Sequence, residues 1–320
     1  MRKLIETRGL KKIYKLRKGL FSPRVEICAI DGVDLEIQEG ETLGLVGESG
    51  CGKSTLGRVI IRLEDPTEGK VFFDGQDLTA LPPVELKPFR RKMQIVFQDP
   101  YNSLNPRKKV LDILSEPFLI HGILKGRRER LEKVRELLQK VGLPEDSLYR
   151  YPHEFSGGQR QRIVIARAIA LNPAFIVADE PLSALDVSVQ AQILRLFVEL
   201  QESLNLTYLF ISHDINVVGY IATRIAVMYL GKIVEMGPKE EVLKRPLHPY
   251  TEGLLRAVPS LEVGKRILPP FSGDPPSPTA KPRGCPFLPR CPRAWAPCRD
   301  ANPPAKEVAP GHWVACFLYE

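Results

Sequence analysis

The chain has 320 residues, 43% hydrophobic and 26% charged, the balance of a globular protein with room for one large domain and an extension. Its net charge of +8 comes from 46 Lys and Arg against 38 Asp and Glu. The basic residues fall in short groups such as Lys11-Lys12, Arg90-Arg91-Lys92 and Arg127-Arg128, without a dense stripe interleaved with aromatics, which argues against nucleic acid as a partner. No run of about 18 apolar residues is present, and residues 1–6 have no long apolar region behind their basic pair. Neither a membrane span nor a secretory signal is expected, so any membrane role must come through partners.

In chain order the predicted elements are those of an α/β protein. Residues 25–37 contain alternating apolar positions around Asp31-Gly32, a strand signal. Residues 42–46 form a short apolar run that ends in a glycine loop, and a helix follows from Lys53. Further strands are predicted at 70–73, 94–97, 174–178, 207–212, 224–229 and 232–235. Between residues 99 and 171 the pattern turns helical. Within 130–141, Leu131, Val134, Leu138 and Val141 share one face with charges opposite, so a helical insert is expected between two halves of a sheet. Composition changes after Ala257, since 14 of the 29 prolines lie in residues 258–320. Such a segment cannot propagate helices or central strands. It is expected to be a linker with a disordered tail or a small unit stapled by something other than a core.

Three segments carry chemistry. Gly47-Glu-Ser-Gly-Cys-Gly-Lys-Ser-Thr55 satisfies G-x-x-x-x-G-K-[ST] between a strand and a helix. Its glycines let backbone N–H groups turn toward phosphates, and the helix N-terminus adds its dipole. Lys53 is placed to reach the β- and γ-phosphates, and the Ser54 hydroxyl to ligate Mg²⁺. Phe175-Ile-Val-Ala-Asp179-Glu180-Pro181 is a buried-strand run ending in two carboxylates. Asp179 is placed to hold Mg²⁺ through water and Glu180 to polarise an attacking water, work worth roughly 10²–10⁴-fold. Ser156-Gly157-Gly158-Gln159 opens a helix through Ile169, a second anion site of the same helix-end kind. Two such helix ends enclose one γ-phosphate when they face each other, which a dimer sandwiching ATP achieves.

Smaller signals accompany these. Gln98, at the end of the strand at 94–97, is placed to sense Mg²⁺ and water through its amide. His213, after the strand at 207–212, is placed to donate to the γ-phosphate. Asp186 in Ser183-Ala-Leu-Asp186 is read two ways, as a bridge to a partner subunit and as a helix N-cap before Val187.

The order of an N-terminal aromatic, phosphate loop, Gln98, Ser156-Gly-Gly-Gln159, Asp179-Glu180, Ser183-Ala-Leu-Asp186 and His213 resembles the ATP-binding cassette (ABC) family. The resemblance implies a P-loop NTPase fold, a RecA-like mixed sheet with helices. It adds an antiparallel β-subdomain and a helical insert within residues 1–257, and a small proline- and cysteine-rich extension over 258–320. It implies ATP held by Gly47, Ser49, Gly50, Cys51, Gly52, Lys53, Ser54 and Thr55 of one subunit against Ser156 to Gln159 of the other. Mg²⁺ would be held by Ser54, Gln98 and Asp179. It also implies an aromatic stacked on adenine, for which Tyr14 is the candidate, although a lone Tyr equally packs on a sheet.

The segments Phe97 to Arg107, Tyr151 to Arg162 and His248 to Pro259 are similar to the dipeptide/oligopeptide importer branch, and Asn105-Pro-Arg-Lys-Lys109 to its second, F-type ATPase subunit. Phe155, where Leu is commoner in the wider family, is usual in this branch. The resemblance implies an ABC-type ATPase, a translocase subunit at the cytoplasmic face of the membrane. It would work with a second ATPase subunit as a heterodimer, two membrane permeases and an extracytoplasmic substrate-binding protein. Relatives in this branch also move nickel, sugars or opines. A nucleic-acid- or ribosome-acting cassette would carry coiled-coil arms or two cassettes in one chain, and a non-hydrolysing regulatory subunit is opposed by intact Glu180 and His213.

Cys285, Cys291, Cys298 and Cys316 crowd the last 36 residues with spacing C-x5-C-x6-C-x17-C. Iron–sulfur, zinc and free thiols remain open on that spacing, which fits structural zinc poorly. The resemblance favours a [4Fe–4S] cluster that staples the extension.

Overall fold

A computed structural model describes residues 2–17, 24–257 and 283–319. Most of the proline-rich linker expected after Ala257, residues 258–282, lies outside the described residues. The chain forms two compact units, Ala80–Ile211 with Gln38–Glu41, and Lys3–Ile37 with Thr42–Thr79 and Ser212–Glu320.

The first unit is built on three parallel strands in the order Met93–Val96, Phe175–Asp179, Thr207–Ser212. All five residues of Phe175–Asp179 are buried, as expected of a strand covered on both faces. The helices Pro100–Ser103, Val110–Ile120, Arg127–Lys140, Gly157–Ile169 and Val187–Leu204 belong to the same unit. In Arg127–Lys140 the buried face is Val134, Leu137 and Leu138, with Val141 just beyond it and Leu131 only half-buried. The expected helical run is thus present as several helices, and the amphipathic face is rotated slightly from Leu131 toward Leu137.

The second unit holds two sheet portions. In one, Lys3–Arg17 lies between Arg24–Gln38 and Glu68–Phe73, and Gln76–Asp77 forms the edge. In the other the order is Lys306–Ala309, His312–Val314, Lys232–Pro238, Arg224–Tyr229, Thr42–Val46, antiparallel until the last, parallel pair. The strand Lys3–Arg17 was not foreseen from sequence. Its buried residues Leu4, Ile5, Thr7 and Leu10 lose their alternation at a bulge between Arg8 and Lys11, and its outward residues are mostly basic.

The extension departs from expectation. His312–Val314 pairs with Lys232–Pro238, and Lys306–Ala309 pairs in turn with His312–Val314, in spite of the prolines around them. Phe287, Val314 and Phe317 are buried, and the Phe287 ring lies 5.3 Å from Tyr229 and 5.5 Å from Tyr250. This end of the chain is therefore anchored by packing Phe287 against Tyr229 and Tyr250 of the preceding residues.

Candidate active site

The phosphate loop lies in the second unit, between the fully buried strand Thr42–Val46 and the helix Lys53–Ile60. Gly47 and Gly52 have φ of +157° and +107°, and a Cβ at either would sit about 2 Å from a backbone oxygen, of Met228 and Ala29 respectively. Only glycine fits there. The loop is tied down by Gly231 N–H donating to Cys51 O at 2.9 Å. Lys53, 4% exposed, folds back to donate to Gly47 O at 2.7 Å and Glu48 O at 3.0 Å. Its ammonium is thereby held inside the loop it would share with phosphates. Cys51 is buried beside Lys53, and burial pushes its thiol above the usual range. Ser49 and Gly50 are exposed, and Ser54 and Thr55 open the helix.

In the same unit Tyr14 donates its hydroxyl to Glu64, and the Lys12 ammonium lies 5.2 Å from its ring centroid. Burial raises the phenol above its ordinary value. His213 is exposed directly after the strand Thr207–Ser212. The following Asp214 caps the helix Ile215–Ile221 by accepting from Asn216 N–H at 2.8 Å.

The first unit gathers the other residues. Asp179, 2% exposed, ends its strand, and Glu180 follows in the left-handed region at φ +45°. The Glu180 N–H donates to Ile211 O at 3.0 Å, and its carbonyl accepts from Ser183 Oγ at 3.1 Å. Gln98 Nε2 donates to the Glu180 carboxylate at 3.3 Å. The predicted water-polarising carboxylate and the predicted sensing amide are thus brought together from the ends of two adjacent, paired strands, Met93–Val96 and Phe175–Asp179.

Ser156 is the N-cap of the helix Gly157–Ile169 in a reciprocal capping box. Gln159 N–H donates to Ser156 Oγ at 3.3 Å, and Ser156 N–H donates to Gln159 Oε1 at 3.0 Å. Two of the residues expected to bind an anion therefore also cap each other, and the S-x-x-Q spacing is the sequence signature of that box. Asp186 occupies the N-cap position of Val187–Leu204 without a side-chain cap bond. Its backbone oxygen takes the first helical bonds from Val189 and Gln190, so its carboxylate is not committed to the cap.

The expected iron–sulfur centre is corrected. Among the described residues, which include Cys285, Cys291, Cys298 and Cys316, no group of three or more His, Cys, Asp or Glu side chains is arranged to hold a metal ion. The surroundings give a reason. Cys285 and Cys298 are buried, and burial pushes the Cys285 thiol up to about 11 and raises those of Cys291 and Cys316. A metal ligand must be a thiolate, and burial of Cys285, Cys291 and Cys316 disfavours that form.

Comparison with known proteins decides the family. Residues 30–183 match the model for "ABC transporter", and residues 234–298 that for "Oligopeptide/dipeptide transporter, C-terminal region". The chain is 54% identical to the Oligopeptide transport ATP-binding protein AppF of Bacillus subtilis (strain 168), over 99% of this chain and 97% of that one. The chain belongs to the ABC transporter ATP-binding proteins. It is also 50% identical to the Dipeptide transport ATP-binding protein DppF of Escherichia coli (strain K12), covering 99% of this chain and 95% of that one. Among solved structures, the ATP-binding cassette MJ0796, described as a dimeric post-hydrolysis state bound to ADP and Pi, is 33% identical. It superposes with a TM-score of 0.65 over 74% of this chain and 99% of its own. This ABC protein is therefore an α/β ATPase of the P-loop class. No helix among its described residues is long and apolar enough to cross a membrane.

The donor set fits the nucleotide and metal that such an ATPase uses. Within the second unit Ser54 offers a hard oxygen of the kind Mg²⁺ takes and the loop 47–55 offers N–H groups and an ammonium for phosphates; within the first unit Asp179 offers a carboxylate of the same hard kind. Glu48, Tyr250 and Arg290 form part of the loop's setting and were missed, because their contacts join residues 202 and 242 positions apart.

Proposed function

We infer that this chain is the ATP-hydrolysing subunit that energises uptake of dipeptides or oligopeptides across the cytoplasmic membrane. The carrying observation is similarity over nearly its whole length to oligopeptide and dipeptide transport ATP-binding proteins, including a C-terminal region matched to that transporter type. The reading takes residues 1–257 as the nucleotide-binding domain and 258–320 as the extension.

On this reading the loop 47–55 wraps the phosphates, with Lys53 transferring its hydrogen bonds from the loop carbonyls to phosphate oxygens. Ser54 and Asp179 hold Mg²⁺, assisted by Gln98, and when bound the ion offsets phosphate charge. Glu180 accepts a proton from the attacking water, and Gln98, 3.3 Å away, fixes its carboxylate. His213 donates to the γ-phosphate, and Tyr14 faces the adenine. Ser156 to Gln159 complete the site of a second ATPase subunit, and Asp186 lies beside that junction. Partners are that subunit as a heterodimer, two permeases and an external binding protein, so the chain sits at the cytoplasmic face of the membrane.

Reconstitution with the cognate permeases and binding protein tests this. ATP turnover is expected to rise when peptide-loaded binding protein is added. Stimulation by a nickel chelate, a sugar or an opine with no response to peptides would reassign the substrate. Stimulation by RNA or DNA in place of the membrane complex would overturn the reading.

A further inference from the structure

The phosphate loop is gripped by the C-terminal extension. Arg290 ends the turn Leu288–Arg290 and donates Nη1 and Nη2 to the two carboxylate oxygens of Glu48 at 2.6 and 2.8 Å. The pair is a two-pronged bond of the planar kind that only arginine makes. The Arg290 side chain is 5% exposed and that of Glu48 26%, so the pair is shielded from bulk water on one side. The guanidinium carbon also lies 5.9 Å from the Tyr229 ring centroid, against the cluster of Tyr229, Tyr250 and Phe287.

Glu48 is the second residue of the loop, and every polar group it has is engaged. Its N–H donates to the Tyr250 hydroxyl at 2.8 Å, and its carbonyl accepts from Lys53 Nζ at 3.0 Å. One residue thus touches both the lysine meant for phosphates and the extension 242 positions later. A carboxylate in a phosphate loop has the same charge sign as the ligand. Left alone, it would repel a triphosphate and compete for Lys53.

We propose that Arg290 is a positioning residue for nucleotide binding. By neutralising Glu48 and drawing its carboxylate toward the extension, it leaves Lys53 and the loop N–H groups available to phosphate. ATP affinity is then set in part by the docking of the C-terminal extension. The proposal rests on the reading that residues 47–55 hold the phosphates.

The test uses the full chain and a fluorescent Mg²⁺–ATP analogue. R290A is expected to weaken binding by about tenfold or more and to raise KM for ATP far more than it lowers kcat. E48Q alone removes the like charge from the loop and is expected to weaken binding less than R290A does. The double variant R290A/E48Q is expected to recover affinity to within about threefold of wild type, because the offending charge is gone. Wild-type binding by R290A, or a double variant no better than R290A, overturns the proposal, the second result marking Arg290 as a structural staple only. Should R290A not fold, R290K keeps the charge without the fork. Near-wild-type affinity for R290K then supports neutralisation, and a loss that E48Q does not repair overturns it. Wild-type chain that fails to bind the analogue would instead sink the phosphate-loop reading itself.

Discussion

Glu180 shows how a single residue can be held in an unfavourable backbone state for use. A non-glycine residue at φ +45° is uncommon and costs on the order of 1–3 kcal/mol unless its surroundings impose it. Here they do, since its N–H and carbonyl are both bonded, to Ile211 O and to Ser183 Oγ. The turn directs the carboxylate to Gln98 instead of continuing the strand. Glu180→Gln preserves shape and removes only the charge that would accept a proton. Nucleotide affinity is expected to stay within about threefold while steady-state turnover falls by roughly 10²–10⁴-fold. Hydrolysis at the wild-type rate in this variant would remove Glu180 from the role assigned to it.

At the level of elements, legibility in the sequence followed locality. The strand 42–46, its glycine loop and the helix from Lys53 were readable because apolar run, turn chemistry and helix start are all encoded within about 20 residues. The carboxylate strand was readable for the same reason. Lys3–Arg17 was not, because a bulge breaks its alternation and its outward face is mostly charged. The strands at 306–309 and 312–314 were hidden by neighbouring prolines, and what makes them strands is their pairing with each other and that of 312–314 with Lys232–Pro238. The clustering of four cysteines favours metal over disulfides and the family resemblance favours a [4Fe–4S] cluster, but neither reports how the thiols are buried. The buried pair Glu235 and His312, 2.8 Å apart, illustrates the same limit, since it ties together residues 77 positions apart.

The helix Pro249–Arg256 stands beside that pair and gives a pH prediction. His248 is its N-cap, accepting from Tyr250 N–H at 3.0 Å through Nδ1, while its own N–H donates to the Glu235 carboxylate. Burial drives the His248 imidazole down to about 4, against a partial upward pull from Glu235. The unfolded chain, with an ordinary value near 6.5, binds the proton first as pH falls. Stability is therefore full above about 6.5 and is lost as pH drops toward about 4, roughly 1 kcal/mol of it by pH 5.5. His248→Asn keeps a cap acceptor and cannot take the proton. Urea unfolding from about pH 7.5 to about 5.5 is expected to show a shallower stability loss for this variant than for wild type. Equal slopes would place the pH sensitivity elsewhere.

For the whole molecule, the decisive question is which polypeptide each half of the chemistry serves. Residues 47–55 and Ser156 to Gln159 both end in helix N-termini that attract anions, and on the proposed reading they serve different ATP molecules. The second then has no effect on nucleotide held by the first until a partner docks. Ser156→Arg puts bulk and charge at that helix start without touching the loop 47–55. In the isolated chain it is expected to leave ATP-analogue affinity at the wild-type value, whereas Lys53→Ala weakens it by at least about tenfold. In the reconstituted transporter the same Ser156→Arg is expected to depress turnover sharply, because it spoils the site built on the partner's phosphate loop. If Ser156→Arg lowers affinity in the isolated chain as Lys53→Ala does, both segments act on one nucleotide within one polypeptide. The isolated wild-type chain should then hydrolyse ATP as fast per molecule as the assembled complex, and dilution should leave that rate unchanged.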